Sequence, residues 1–313
     1  KVPTFENTSQ QAGLAQNKER TFPTFFFDYD NDGWLDLFIC NYSFEQQLSF
    51  FLAKETLYPS NDQEGKIILY HNNQNGTFSE VSGQMHLNQP VFAMAANFGD
   101  FDNDGWLDMF MSTGNPNYRS LIPNRLYKNM GGTDFMEVTY SARVGNLQKG
   151  HGVAFADINN NGDQDIYVNI GGAYEGDAFN SAFYLNPGQN DNNWITMQLE
   201  GVKSNKAAIG ARIRLKFTDN GKQRFVYRDL NSGGSFGSSP LRREIGLGQA
   251  KMIDEIQIKW PASGTVQTIT NIKPNQFIKI TEGKEGYSTI NLKNIVFKYK
   301  SGGIPMCAPR VSI

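Results

Sequence analysis

Cysteine is nearly absent from this chain: two residues in 313, Cys40 and Cys307. No CxxC pair occurs, so zinc, iron–sulfur and c-type haem readings have no ligand set. Cys40 closes the apolar run Leu37-Phe38-Ile39-Cys40 and reads as a buried small hydrophobe. Cys307 lies in a Pro-rich tail, and nothing in the spacing supports a disulfide between the two. Excess charge of one sign is also missing. Lys+Arg number 29 against 31 Asp+Glu, a net charge of -2, which removes the main support for nucleic-acid binding. Apolar runs such as Phe25–Phe27 and Val91–Ala96 fall far short of the ~20 residues that span a bilayer. There is no initiator Met and no signal peptide, so a chain starting at Lys1 reads as a processed product or a C-terminal part. What is present, 39% hydrophobic and 19% charged residues, is enough for real cores and about two domains.

The chain repeats itself. Asp28-Tyr-Asp30-Asn-Asp32-Gly33-Trp34-Leu-Asp36 returns as Asp100-Phe-Asp102-Asn-Asp104-Gly105-Trp106-Leu-Asp108, and again as Asp157-Ile-Asn159-Asn-Asn161-Gly162-Asp163-Gln-Asp165. Each copy sits between two apolar runs. Downstream come Leu69-Tyr70-His71-Asn72, Leu126-Tyr127-Lys128-Asn129 and Phe183-Tyr184-Leu185-Asn186. Phe5-Glu6-Asn7-Thr8, Phe78-Ser-Glu-Val81 and Phe135-Met-Glu-Val138 also parallel one another. Each unit reads as four short strands, which suits a β-propeller blade. The first unit is longer. Its surplus, Tyr42 to Gln63, predicts a short helix with Ser43 and Gln46 as capping box and Phe44, Leu48, Phe51 and Leu52 on one face. Closed propellers need about four to eight blades. The three repeats are therefore expected to belong to a larger ring, completed by sequence before Lys1 or by a second chain.

The acidic loops stop near residue 190. Seven strands are predicted beyond it: Trp194–Leu199, Ile209–Phe217, Gln223–Leu230, Arg242–Gly246, Glu255–Trp260, Val266–Ile269 and Phe277–Ile280. Asp219-Asn220-Gly221 is a hairpin turn signal. The expected architecture is all-β: three propeller blades over 1–190, a β-sandwich over 191–283, and a tail over 284–313 with a strand candidate at Ile295–Tyr299.

Oxygens at loop positions 1, 3, 5 and 9, a Gly at 6 and a carbonyl at 7 make a calcium-binding arrangement. The expected ligands are Asp28, Asp30, Asp32, Trp34 and Asp36 in the first loop. In the second they are Asp100, Asp102, Asp104, Trp106 and Asp108, and in the third Asp157, Asn159, Asn161, Asp163 and Asp165. Trp34, Trp106 and Asp163 offer their carbonyls. An EF-hand would need a Glu at position 12, where Ile39, Met111 and Val168 stand. Four carboxylates within nine residues repel one another unless a cation neutralises them. About three structural calcium ions are expected, with the Asn-containing third loop the weakest.

Other features carry less. Gly233-Gly-Ser235-Phe-Gly237 has the GxSxG form, but all three histidines, His71, His86 and His151, precede it. A nucleophile elbow needs a later His and a following helix. His151 with Glu175 and Asp177 is the one acid–base or metal cluster the sequence offers besides the loops. Arg212, Arg214, Lys216, Arg224 and Arg228 can form a basic strand face for an acidic polysaccharide, a phosphate-rich surface or another blade, or remain solvated. Trp34 and Trp106 can stack on a sugar or fill the gap between blades. Asn7, Asn41 and Asn75 lie in N-x-[ST] sequons, with Asn41 expected to be too buried for modification.

At these residues the sequence resembles the FG-GAP/VCBS-repeat propellers, and more closely the proteins carrying a C-terminal ASPIC/UnbV domain, the cartilage acidic protein-like family. Gly150-His151-Gly-Val-Ala-Phe-Ala-Asp157 and Gly171-Gly-Ala-Tyr-Glu175-Gly-Asp177 resemble the family's last repeat. Asn193-Trp194, Ser204-Asn205, Ala208-Ile-Gly-Ala-Arg212, Gly246-Leu-Gly248 and Trp260-Pro-Ala-Ser-Gly264 resemble its C-terminal domain. The resemblance implies a secreted, periplasmic or cell-surface calcium-binding propeller and no known reaction. The expected function is a non-enzymatic binding or scaffolding module outside the cytoplasm, with a protein or glycan partner, no nucleic acid and no membrane span. The alternatives are a lectin-like carbohydrate binder, or an accessory or catalytic part of a polysaccharide-acting enzyme.

Overall fold

The computed structural model of the chain describes residues 4–60, 62–113, 121–172, 175–176, 179–188 and 190–297. Three antiparallel sheets follow one another in sequence, each with its strands in chain order. The first holds β1 (Arg20–Phe27), β2 (Asp36–Tyr42), β3 (Ile67–Asn72) and β4 (Phe78–Glu80). The second holds β5 (Ala93–Gly99), β6 (Asp108–Thr113), β7 (Arg125–Asn129) and β8 (Phe135–Glu137). The third holds β9 (Gly150–Ala156), β10 (Asp165–Ile170) and β11 (Ala182–Tyr184). The first two are the four-stranded blades that the repeats predict, whereas the third has three strands among the described residues. Each acidic loop joins the first two strands of its blade. Position 9 opens the second strand, in the pairs Phe27↔Asp36, Gly99↔Asp108 and Ala156↔Asp165.

Apolar residues on facing sheets hold neighbouring blades together. Phe25, Phe27, Phe38 and Leu69 pack with Met109 and Met111 between the first two. Phe110 and Leu126 pack with Phe155 and Val168 between the second and third. The helix predicted in the long first connection is present as α1 (Leu48–Leu57), but it starts later than expected. The Ser43 hydroxyl accepts from the Glu45 and Gln46 amides and closes a local turn. It does not cap the helix, whose N-cap is Gln47 without a side-chain bond. Leu48 and Phe51 are buried with Tyr42 and Phe92, and Leu52 packs against them. Phe44 falls outside the helix and is exposed beneath the Arg20 guanidinium.

Beyond the blades, two four-stranded sheets pack face to face. One is ordered β15-β12-β18-β19 and the other β14-β13-β16-β17. Their strands are β12 (Asn193–Glu200), β13 (Arg212–Asp219), β14 (Lys222–Asp229), β15 (Arg243–Gly248), β16 (Ile253–Lys259), β17 (Val266–Ile272), β18 (Gln276–Thr281) and β19 (Ser288–Thr289). Ile195, Met197, Leu215, Phe217, Ile256, Trp260 and Ile278 fill the space between the sheets, so the sandwich follows from the alternation. All seven predicted strands occur. β13 begins three residues later than Ile209, which is half exposed. β12 and β18 pair in parallel, a long-range contact that the sequence pattern does not announce. The Asp219–Lys222 hairpin turns through Asn220 and Gly221, both with positive φ.

Residues after 284 do not simply leave the domain. β19 pairs with β18, and the chain then runs back to the third acidic loop, where the Ile295 amide donates to the Asn159 carbonyl at 2.8 Å. Residues 295–297 are not a strand. The rest of the predicted tail strand, and Cys307, lie outside the described residues. Cys40 is a free, fully buried thiol, and burial pushes its pKa up to about 12.

Candidate metal centre

The three loops share one geometry. Positions 4 and 6 of each, Asn31/Gly33, Asn103/Gly105 and Asn160/Gly162, hold positive φ. Asn tolerates that region and Gly adopts it freely. The turn aims backbone amides at the first carboxylate: Gly33, Gly105 and Gly162 donate to Asp28, Asp100 and Asp157 at 2.9, 3.0 and 2.9 Å. Position 9 is held from both sides. Asp36, Asp108 and Asp165 accept from the position 2 amides of Tyr29, Phe101 and Ile158. They also accept from the amides of Asn72, Asn129 and Asn186, at 2.8 Å in each case. Those asparagines end the repeated LYHN, LYKN and FYLN runs. Their side chains tie blades together: Asn129 donates to the Tyr29 carbonyl and Asn186 to the Phe101 carbonyl of the preceding loop. The repeated text marks these asparagines, but their clasping role emerges only in three dimensions.

This framework crowds the carboxylates. Oxygens of Asp28, Asp30 and Asp32 lie within 4.8 Å of one another, as do ligand atoms of Asp30, Asp36 and His71, and those of Asp100, Asp102 and Asp108. His71 Nδ1 is 3.3 Å from both Asp30 and Asp36, a ligand-capable position that the motif spacing does not include. Burial pushes Asp28 up to about 7 and Asp36 to about 8. Burial, reinforced by neighbouring carboxylates, pushes Asp104 to about 8 and holds Asp108 well above the ordinary range. In the third loop burial raises Asp165 to about 7. There Asn159 and Asn161 accept the amides of Asn161 and Asp163, so fewer charges meet. The Asp163 side chain turns away to accept from Asn103 at 2.9 Å, which suits a residue expected to contribute only its carbonyl.

The second loop gives the sharpest fit test. Asp100 and Asp102 are more than nine-tenths buried, and Asp100 Oδ1 and Asp102 Oδ1 have no hydrogen-bond partner. Buried carboxylate oxygens without partners are costly. A hard divalent cation satisfies several at once in flexible geometry. The donor set, all oxygen apart from His71, suits calcium or magnesium rather than a thiophilic metal.

The sandwich docks on this loop face. Arg228 is buried and donates to the Gly105 carbonyl and to Asn31 Oδ1, both at 3.1 Å. The Arg212 guanidinium donates to the Gly33 carbonyl at 2.7 Å. Arg224 lies 5.2 Å from the Trp106 ring centroid. The amides of Gly246 and Gly248 donate to Asp100 Oδ2 and to the Asn103 carbonyl. The third loop meets Glu244, whose carboxylate accepts the Asp157 amide, and Arg242, which donates to the Asp157 carbonyl. Arg224 and Arg228 therefore face the blades. They pair with Phe217 and Ile213 and lie on the opposite side of the sheet from Arg212, Arg214 and Lys216, so the five do not form the single basic face that the sequence suggests, and Arg212 stays half exposed. Arg214 pairs with Glu255 inside its own sheet. Gly246 itself approaches so closely that a Cβ there would overlap the Asn103 backbone.

Gly233–Gly237 is part of the same contact. The Ser235 amide and carbonyl pair with Ala96 of β5, and the Phe236 carbonyl accepts from Val153 of β9. Among the described residues no helix follows, so the loop is an inter-domain plug and not a nucleophile elbow. His151 lies on β9 with its Nε2 buried and unpartnered, while Glu175 is exposed and Asp177 lies outside the described residues. None of the metal-capable groups among the described residues contains His151. Trp106 is half-buried against Arg224 and Gly132, whereas Trp34 is 45% exposed. Asn41 is fully buried.

Residues 28–111 match the FG-GAP-like repeat family, and residues 201–286 match the ASPIC and UnbV family. The chain joins FG-GAP-like repeats to an ASPIC/UnbV domain. Both assignments agree with the blades and the sandwich, and domains of these two kinds are usually non-catalytic. No curated protein matches the chain. Among the described residues no helix is long and apolar enough to cross a membrane.

Proposed function

We propose that this chain is a calcium-binding, extracytoplasmic FG-GAP-type propeller segment that works as a binding or scaffolding module and not as an enzyme. The observation that carries the reading is the pair of buried, unpartnered oxygens, Asp100 Oδ1 and Asp102 Oδ1, inside a four-carboxylate loop. Asp28, Asp30, Asp32, Asp36 and the Trp34 carbonyl would hold one ion. Asp100, Asp102, Asp104, Asp108 and the Trp106 carbonyl would hold a second. Asp157, Asn159, Asn161, Asp165 and the Asp163 carbonyl would hold a third, more weakly. Bound calcium would supply the positive charge that lets these carboxylates ionise while buried.

The role of the ions is structural in this reading. The loops are also the platform for the ASPIC/UnbV sandwich, so ion occupancy supports both the blades and the domain contact. Millimolar calcium outside the cytoplasm keeps such sites filled. A protein or glycan at a cell surface or matrix is the proposed partner. The exposed Trp34 beside the first loop gives the lectin-like variant its one structural support, and a glycan array comparing the chain with Trp34→Ala would decide it.

Differential scanning calorimetry tests the calcium reading. A raised melting temperature in millimolar calcium over chelator is expected, because a ligand that binds only the native state stabilises it. Identical transitions in both conditions would reject it.

A further inference from the structure

The three loops are built alike but differ at one neighbouring position. The residue preceding the clasping asparagine is His71 in the first blade, Lys128 in the second and Leu185 in the third. The Lys128 ammonium donates to Asp102 Oδ2 and lies 3.8 Å from Asp104 Oδ2. Its side chain is 20% exposed. It reaches carboxylates that a metal ion would need.

We propose that Lys128 is a built-in counter-cation of the second loop, which calcium must displace in order to bind. The inference rests on the calcium reading above and adds a determinant of affinity to it. An ammonium carries one charge and three donors. Against four loop carboxylates it offsets part of the repulsion and leaves Asp100 Oδ1 and Asp102 Oδ1 without partners. A divalent ion gathers about six to eight oxygens and completes what the lysine leaves undone, but only after taking Asp102 from it. The second loop therefore binds calcium more weakly than its four aspartates alone would dictate. In return, the second blade keeps a partly neutralised loop when calcium is scarce. The third loop carries Leu185 at this position, and its neighbouring cation, Arg242, donates to the Asp157 carbonyl rather than to a loop carboxylate.

The test uses the full chain as wild type, Lys128→Met and Leu185→Lys. In calorimetric calcium titrations, Lys128→Met should tighten one site by roughly tenfold, the equivalent of about 1.4 kcal/mol, and Leu185→Lys should weaken one site. In chelator, Lys128→Met should melt below wild type, while in saturating calcium it should not. Opposite signs in the two conditions separate a displaced counter-cation from a merely structural lysine. A wild-type readout needs no variant: acetic anhydride labelling followed by mass spectrometry should find Lys128 protected in chelator and reactive in calcium. Unchanged affinity in Lys128→Met, equal destabilisation in both conditions, or labelling indifferent to calcium would overturn the role of Lys128 while leaving the calcium sites standing. Absence of calcium binding in wild type and Lys128→Met alike would overturn both readings.

Discussion

The Asn31 side-chain amide donates to the carbonyl of Gly105, 74 residues further along the chain, at 2.9 Å. The same bond recurs one blade later, where Asn103 donates to the Gly162 carbonyl at 3.0 Å. At the third blade Asn160 donates instead to the Lys293 carbonyl, supplied by the chain returning from the sandwich. Position 4 of each loop thus reaches across to a neighbour, and the loops form a connected row rather than three separate turns.

That row predicts a specific weakness at Asn103. It is buried, holds φ of 58° and donates to both Gly162 and Asp163. Asn103→Ala loses these bonds and strains a left-handed position. The expected loss is about 2–3 kcal/mol, from hydrogen bonds and backbone together. Asn103→Gly, which keeps the backbone freedom, should lose less. Chemical denaturation of both variants in calcium measures the difference, and equal losses would show that the backbone conformation does not matter.

The domain contact makes a second prediction. A Cβ at Gly246 has no room against the Asn103 backbone. Gly246→Ala should loosen the sandwich from the loops while leaving the sandwich core intact. One cooperative melting transition should then split or broaden, and trypsin should gain access to Arg228 or Arg242. A single unchanged transition with no new cleavage would mean that the two domains are not energetically joined there.

The carboxylates set the pH dependence. Burial holds Asp28 and Asp165 at about 7 and Asp36 and Asp104 at about 8. Acids raised in the folded state contribute stability below their unfolded pKa of about 4 and lose it as pH climbs through the folded values. In chelator the melting temperature should therefore fall between pH 5.5 and 8.5. Calcium takes the place of the protons, so the calcium-dependent rise in melting temperature should grow over the same interval. Calorimetry at the two pH values, with and without calcium, checks this, and a rise that shrinks at pH 8.5 would contradict it.

The sandwich holds its own test in Glu282. This carboxylate accepts from the Val202, Lys203 and Ser204 amides, each at 2.7 Å, and from the hydroxyls of Ser204 and Ser263. Burial works against its charge, but these donors prevail and hold its pKa down at about 2. Its contribution is present above the ordinary carboxylate range and is lost as pH falls from there toward 2. Glu282→Gln should lower the melting temperature at pH 7 and narrow its gap from wild type at pH 3. A gap of the same size at both pH values would count against the charge.

The local parts of the fold were legible because their signals are local. Asp-x-Asp-x-Asp-Gly spacing fixes the loop turn, and alternation such as Ile213-Arg-Leu215-Lys-Phe217 fixes which strand face is buried. The ligand atoms of Asp28, Asp30 and Asp32 converge as that spacing requires. What stayed illegible depends on contacts made over long separations. Arg228 looks like one member of a basic strand face until Gly105 and Asn31, far away in sequence, are placed beside it. Lys128 and His71 sit in repeated text, but only the folded blade shows that they reach the loop carboxylates. Ser43 offered a capping pattern, and the backbone used it for a turn instead. The GxSxG run carried a familiar spacing, yet its amides and carbonyls serve β5 and β9.

The most direct measurement is the number of calcium ions bound per chain, from equilibrium dialysis of the chelator-treated protein against buffered calcium followed by atomic emission analysis. About three ions are expected at millimolar calcium, falling by one in Asp100→Asn. A chain that remains folded and retains no calcium would contradict that expectation.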